Sequence, residues 1–170
     1  MPTIQLPHTL GCLVCGRDNA HGLRLDLHVD SASGIVQTTF TPGPQHIGFE
    51  GIIHGGVLAT VLDEAMVWCA TWAARRFCVC AEMTVRYLHS AAVGEPLTFK
   101  AKVSSDRPRL ITAEGSIVDP SGRLIASAAG KYTRLSAARN HSFVATLVEE
   151  DATRAASRYL RSLEAGEKSE

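Results

Sequence analysis

The residues best placed to do chemistry lie in one stretch, FEGIIHGGVLATVLDEAM, where His54-Gly55-Gly56 opens a helical run and Asp63 and Glu64 follow. Glycines at a helix start let a ligand approach the backbone closely. The first-turn amides there lack an intrahelical partner and sit at the positive end of the dipole. A carbonyl oxygen gaining negative charge would be stabilised by such an amide near Gly55 and Gly56; one such donor is commonly worth ~3–4 kcal/mol. The competing reading is that both glycines only permit tight helix entry. His54 fits a bond to loop backbone that holds this turn better than it fits proton exchange.

At ~100° per residue, Asp63 shares a helix stripe with Gly56, Ala59, Val67 and Ala70. A buried carboxylate among small residues needs a partner or a task. It could act as a general base toward water or as a nucleophile toward an acyl group, and a salt bridge to a sheet arginine is the structural alternative. Glu64 is turned away by ~100°, which makes it the second-choice acid and a better pairing residue. Cys12-x-x-Cys15 could begin a zinc site, but no second CxxC follows, and Cys78 and Cys80 are spaced as neighbours on one strand face. No metal ligands are expected. Trp68 and Trp72 suit a core or an interface, and Arg75 and Arg76 suit the helix C-terminus.

The surrounding elements must hold this helix. Residues 1–21 carry Pro2, Pro7, Gly11 and Gly16 without a sustained period and read as an N-terminal extension on the surface. Leu23, Leu25, Leu27 and Val29 alternate with polar residues as a half-buried strand does, and 35–40 forms another, closed by Thr41-Pro42-Gly43-Pro44. The helix runs from Val57 to about Trp72, with Leu58, Leu62, Ala65 and Cys69 on one apolar stripe and only two charges, so it reads as buried nearly all round. Four strand-like runs follow, at 78–88, 97–103, 110–118 and 124–132, separated by Gly/Pro/Asp turns that favour an antiparallel meander. Residues 146–163 have the composition of an exposed amphipathic helix. The pattern is thus α+β: about six antiparallel strands curled round one long central helix, the hotdog architecture, plus a C-terminal helix. The divisions expected are 1–21 extension, 22–135 domain and 136–170 helical extension.

Composition bounds the rest. The 170 residues are 45% hydrophobic and 20% charged, enough apolar content for one packed domain and too little charge for a disordered chain. Seventeen basic and seventeen acidic residues cancel, so no global field favours nucleic acid or an anionic bilayer, although arginine outnumbers lysine thirteen to four. The N-terminus lacks a signal-peptide pattern, and no uncharged apolar run approaches the ~20 residues of a membrane span. A cytoplasmic location and reduced thiols are the expectation for the five cysteines.

The run FEGIIHGGVLATVLDEAM, with CLVCGRDNAHGLRL before it and VRYLHSAAVGEPL after it, resembles the hotdog acyl-CoA thioesterases of the phenylacetyl-CoA and 4-hydroxybenzoyl-CoA group. The likeness spans about Cys12 to Arg134. Members place histidine-glycine-glycine at the start of the central helix and a catalytic acid nine residues after the histidine; here these are His54 and Asp63. The resemblance implies that the Gly55 amide polarises a thioester carbonyl while Asp63 activates water or attacks, without a cofactor. It also makes Arg86 a candidate for a coenzyme A phosphate. It further implies a homodimer with shared sites, with a dimer of dimers as a further possibility. Two departures stand out. Gly48 replaces the Asn or Gln that many members carry six residues before the histidine, so that role is empty or passes to Gln45 or His46. Leu88-His89-Ser90-Ala91-Ala92 replaces a proline-rich turn. The expected activity is hydrolysis of a small or medium acyl-CoA. The alternatives are a hotdog hydratase or dehydratase and a non-catalytic acyl-CoA-binding protein.

Overall fold

The computed structural model describes residues 3–162. Its main sheet has seven strands, β1 (Thr3–Gln5), β2 (His28–Asp30), β3 (Val36–Phe40), β4 (Cys78–Tyr87), β5 (Leu97–Arg107), β6 (Leu110–Val118) and β7 (Leu124–Arg134). They are ordered β1-β2-β3-β5-β6-β7-β4, every pairing antiparallel. One helix, α1 (Gly55–Ala74), lies against β5, β4, β6 and β7. This is the α+β hotdog arrangement, with one strand more than the expected six.

The core forms because α1 is apolar on most of its girth and the sheet offers an apolar face. Leu58, Val61, Leu62, Ala65, Met66 and Cys69 are buried against Phe99, Ile111, Ile117 and Ile125 from alternate strand positions. Although α1 is long and apolar enough to cross a membrane, the sheet buries its apolar stripe. Gly115 on β6 sets how closely helix and sheet approach, since a Cβ there would sit 2.9 Å from Met66 Sδ and 3.0 Å from Leu62 Cδ2. Gly115→Val should therefore destabilise the fold by ~1–3 kcal/mol through overpacking. A urea denaturation midpoint unchanged from wild type would contradict this seating.

Three local expectations are corrected. Residues 23–27 alternate in burial but are not a strand of the sheet: the Leu23 and Leu25 amides donate to the Leu13 and Val14 carbonyls, so this stretch pairs with the cysteine loop. The N-terminal segment does not simply lie on the surface, because β1 joins the sheet and Leu6 and Cys15 enter the core. The C-terminal helix is present as α3 (Arg154–Arg161) but starts later than the expected 146, because Leu147–Val148 pairs with His8–Thr9, and a further helix, α2 (Ala137–Ala145), precedes it. The expected helix end at Leu163 and the Gly166–Glu170 tail lie outside the described residues. Both helices are docked. Asn140 Oδ1 accepts from the Phe77 amide at 2.8 Å, and Tyr159 stacks on Trp72 with ring centroids 4.0 Å apart.

Candidate functional site

His54 is the N-cap of α1, and its Nδ1 accepts from the Gly56 amide at 2.9 Å. The ring therefore holds the turn as a hydrogen-bond acceptor, and the Gly56 N–H is engaged by it. The Gly55 amide behaves differently: it makes no hydrogen bond among the described residues. It is the open donor at the positive end of a 20-residue helix. Tyr87 at the end of β4 closes over it, donating its hydroxyl to the Gly55 carbonyl at 2.8 Å.

The loop before the helix is built to hold His54. Pro44–His46 is a single 3-10 turn, in which His46 Nδ1 accepts from the Gly43 amide at 2.9 Å. The His46 carbonyl in turn accepts from the His54 amide at 2.9 Å. Gly48 packs so closely that a Cβ would lie 3.0 Å from His54 Cα. A larger residue at 48 would press on the cap. Gln45 and His46 line a cavity of about 450 Å³ with Val57, Thr60 and His21, and on another side Ile53, Leu58, Tyr87 and Leu88 line one of about 300 Å³. The first turns of α1 flank both.

Asp63 is half-buried two turns further on, and Tyr132 of β7 donates its hydroxyl to Asp63 Oδ1 at 3.1 Å. No arginine pairs with it among the described residues. Tyr132 is fully buried; burial first, and then the charge of Asp63, pushes its phenol well above the usual range, so it stays a donor. Cys80 on β4 lies beside both groups, its thiol raised by burial and then by the Asp63 charge. Asp63 thus faces the outer strand of the sheet.

Glu64 turns the other way. Its Oε1 accepts from Trp68 Nε1 at 2.9 Å and lies 3.6 Å from Cys12 Sγ, and burial pushes its carboxyl up to about 7. The pairing role expected for it is met by an indole and a thiol rather than by a cation. Arg86 is not brought to the helix. It alternates with Tyr87 along β4 and lines a separate cavity of about 620 Å³ with Lys100 and Lys102.

The candidate residues therefore fall in two places on one chain, His54, Gly55 and Tyr87 at the start of α1, and Asp63 and Tyr132 two turns further on. Neither tyrosine was singled out by sequence reasoning. The one available signal was position, since Tyr132 follows Ala128 and Gly130 at alternate, inward-facing places.

A family model for the thioesterase superfamily matches residues 50–126, a span that contains the cap, the open amide and Asp63. The match spans 77 of the 170 residues. Among solved structures, protein RHA08564, a thioesterase superfamily protein, superposes on this chain with a TM-score of 0.67 at 30% identity, covering 73% of this chain and 60% of that one. The E. coli PaaI protein from the phenylacetic acid degradation operon gives 0.61 at 22%, covering 67% and 81%. The protein smu.793 from Streptococcus mutans UA159, bound to acetyl CoA, gives 0.61 at 18%, covering 66% and 89%. The last two likenesses carry the hotdog fold. No curated protein matches the chain by sequence.

Proposed function

We propose that this chain is a thioesterase that hydrolyses a small or medium acyl-CoA to the free acid and coenzyme A. The observation that carries the reading is the Gly55 amide, left open at the N-terminus of α1 because His54 engages the next one. The thioester carbonyl oxygen accepts from that N–H, so the negative charge of a tetrahedral intermediate develops beside the helix dipole. Asp63 either takes the proton from a water that attacks the carbonyl carbon, or attacks that carbon itself to give a mixed anhydride, which water hydrolyses to the free acid once the thiol has left. In either route the carbon–sulfur bond breaks, and coenzyme A leaves as the thiolate and takes up a proton. A coenzyme A thioester is supported as substrate by the acetyl CoA bound to smu.793.

The same reading requires two chains. Gly55 and Asp63 both lie on α1, eight residues apart, so at ~1.5 Å per residue they are ~12 Å apart along the axis. Reacting atoms must come within ~3–3.5 Å, so one helix cannot serve one thioester with both groups. A homodimer with two shared sites solves this. Strand β4 supports it, since it pairs only with β7 and leaves its other edge open among the described residues, next to Asp63. The exposed Val79, Tyr87, Leu88 and Phe49 give that side apolar area.

The test is release of free thiol, followed with a chromogenic disulfide over short, long and aromatic acyl-CoAs. Turnover of at least one short or medium member is expected. Saturable binding of acyl-CoA without thiol release across the panel would replace this reading with a non-catalytic binding protein.

A further inference from the structure

The sequence offers Cys12 and Cys15 with no second cysteine pair, which argues against a metal. The fold brings Glu64 of α1, 52 residues further on, to the same point. One ligand atom from each of Cys12, Cys15 and Glu64 lies within 4.8 Å of the others. The Cys12 Sγ to Glu64 Oε1 separation is 3.6 Å. A tetrahedral zinc with bonds of ~2.3 Å to sulfur and ~2.0–2.2 Å to a carboxylate oxygen separates those two ligands by ~3.5 Å.

The cysteine loop also has the form such a site needs. The amides of Val14 and Cys15 point at Cys12 Sγ, at 3.3 and 3.4 Å, as donors to a thiolate do. Gly16 follows because the turn closes tightly: its amide donates to the Cys12 carbonyl at 3.0 Å, and a Cβ there would lie 2.5 Å from the Cys12 backbone. Cys15 is buried, and Trp68 Nε1 donates to the same Glu64 Oε1 that faces Cys12 Sγ, which holds the carboxylate in place beside the two thiols. Two soft thiolates and one carboxylate select zinc over magnesium or calcium.

We infer that Cys12, Cys15 and Glu64 bind one zinc ion that pins the N-terminal loop to α1. Both thiols coordinate as thiolates after losing their protons, Glu64 coordinates as carboxylate, and water completes the tetrahedron. The site is separate from the proposed chemistry, because Asp63 points to Tyr132 on another side of the helix.

The experiment is metal analysis of the full chain, untagged and purified with reductant but without chelator, after titration with zinc. One zinc per chain is expected. Cobalt in its place should give a thiolate-to-metal charge-transfer band. Cys12→Ser with Cys15→Ser should abolish both signals. Glu64→Gln should weaken zinc by at least ~10-fold, the lower bound seen even for outer partners. Removal of zinc from wild type should lower the melting temperature. The inference is overturned if reduced wild-type protein takes up neither metal, if a folded double variant keeps its zinc, or if the native chain is metal-free and two hydrogens lighter, as a Cys12–Cys15 disulfide would be. The wild-type measurements decide the matter even if a variant fails to fold. None of these readouts uses acyl-CoA, so loss of the zinc site would leave the thioesterase reading standing, and the reverse holds.

Discussion

Asp63→Asn should lower kcat by at least ~100-fold, the lower bound of a general-base contribution, while leaving the fold intact. The amide keeps the size of the carboxylate and an oxygen to accept from Tyr132, so the hydrogen bond at 3.1 Å survives. What it loses is the capacity to take a proton or to attack a carbonyl. Equal far-ultraviolet circular dichroism and an unchanged urea midpoint would show that the loss is chemical. Tyr132→Phe serves as a companion: a positioning residue should lower kcat more than it raises KM, because the acid is present but no longer aimed. Glu64→Gln should lower kcat less than Asp63→Asn does, since Glu64 faces Trp68 and Cys12. If the two acids came out in reverse order, Glu64 would take the catalytic role. A nearly active Asp63→Asn would falsify the assignment altogether.

The contrast between these two acids shows how far the sequence could be read. Periodicity placed α1 to within two residues at either end and put Asp63 and Glu64 on different faces, because helical geometry is local. The runs at 78–88 and 110–118 were legible for a similar reason: the turn signals that bound the strand-like runs lie next to them in the sequence. Residues 23–27 alternate like a strand, yet their amides pair with residues 13 and 14, and alternation reports which side is buried rather than which neighbour is bonded. The late start of α3 comes from Leu147–Val148 pairing with His8–Thr9, a contact across nearly the whole chain that composition does not encode. His54 and Gly55 were readable as a cap and an open amide. The partners of the acids were not, because Tyr132 is 69 residues from Asp63 and Cys12 is 52 from Glu64.

The second large effect comes from mixing two inactive proteins. Asp63→Asn removes the acid, and Gly55→Pro removes the open amide at the first helical position, where proline is tolerated. The extended His54 backbone, with φ −61° and ψ 126°, suits the residue before a proline. The ring would meet Tyr87, whose atoms lie 3.2 Å from the Cβ position, but that side chain is half exposed and can turn outward. Each variant alone should be inactive, because each homodimer lacks one group at both sites. After subunit exchange in equal amounts, half the dimers are hybrids, and in each hybrid the intact Gly55 of one protomer faces the intact Asp63 of the other at one site of two, restoring roughly a quarter of wild-type activity. This result follows only if the two groups act across the interface. A single-chain site would leave the mixture as inactive as its components, and a dimer joined elsewhere would do the same. Exchange is checked independently by native mass spectrometry of one isotopically labelled partner. With hybrids present and no activity regained, the dimeric mechanism fails. The ~12 Å between Gly55 and Asp63 along α1 would then rule out their acting together on one thioester.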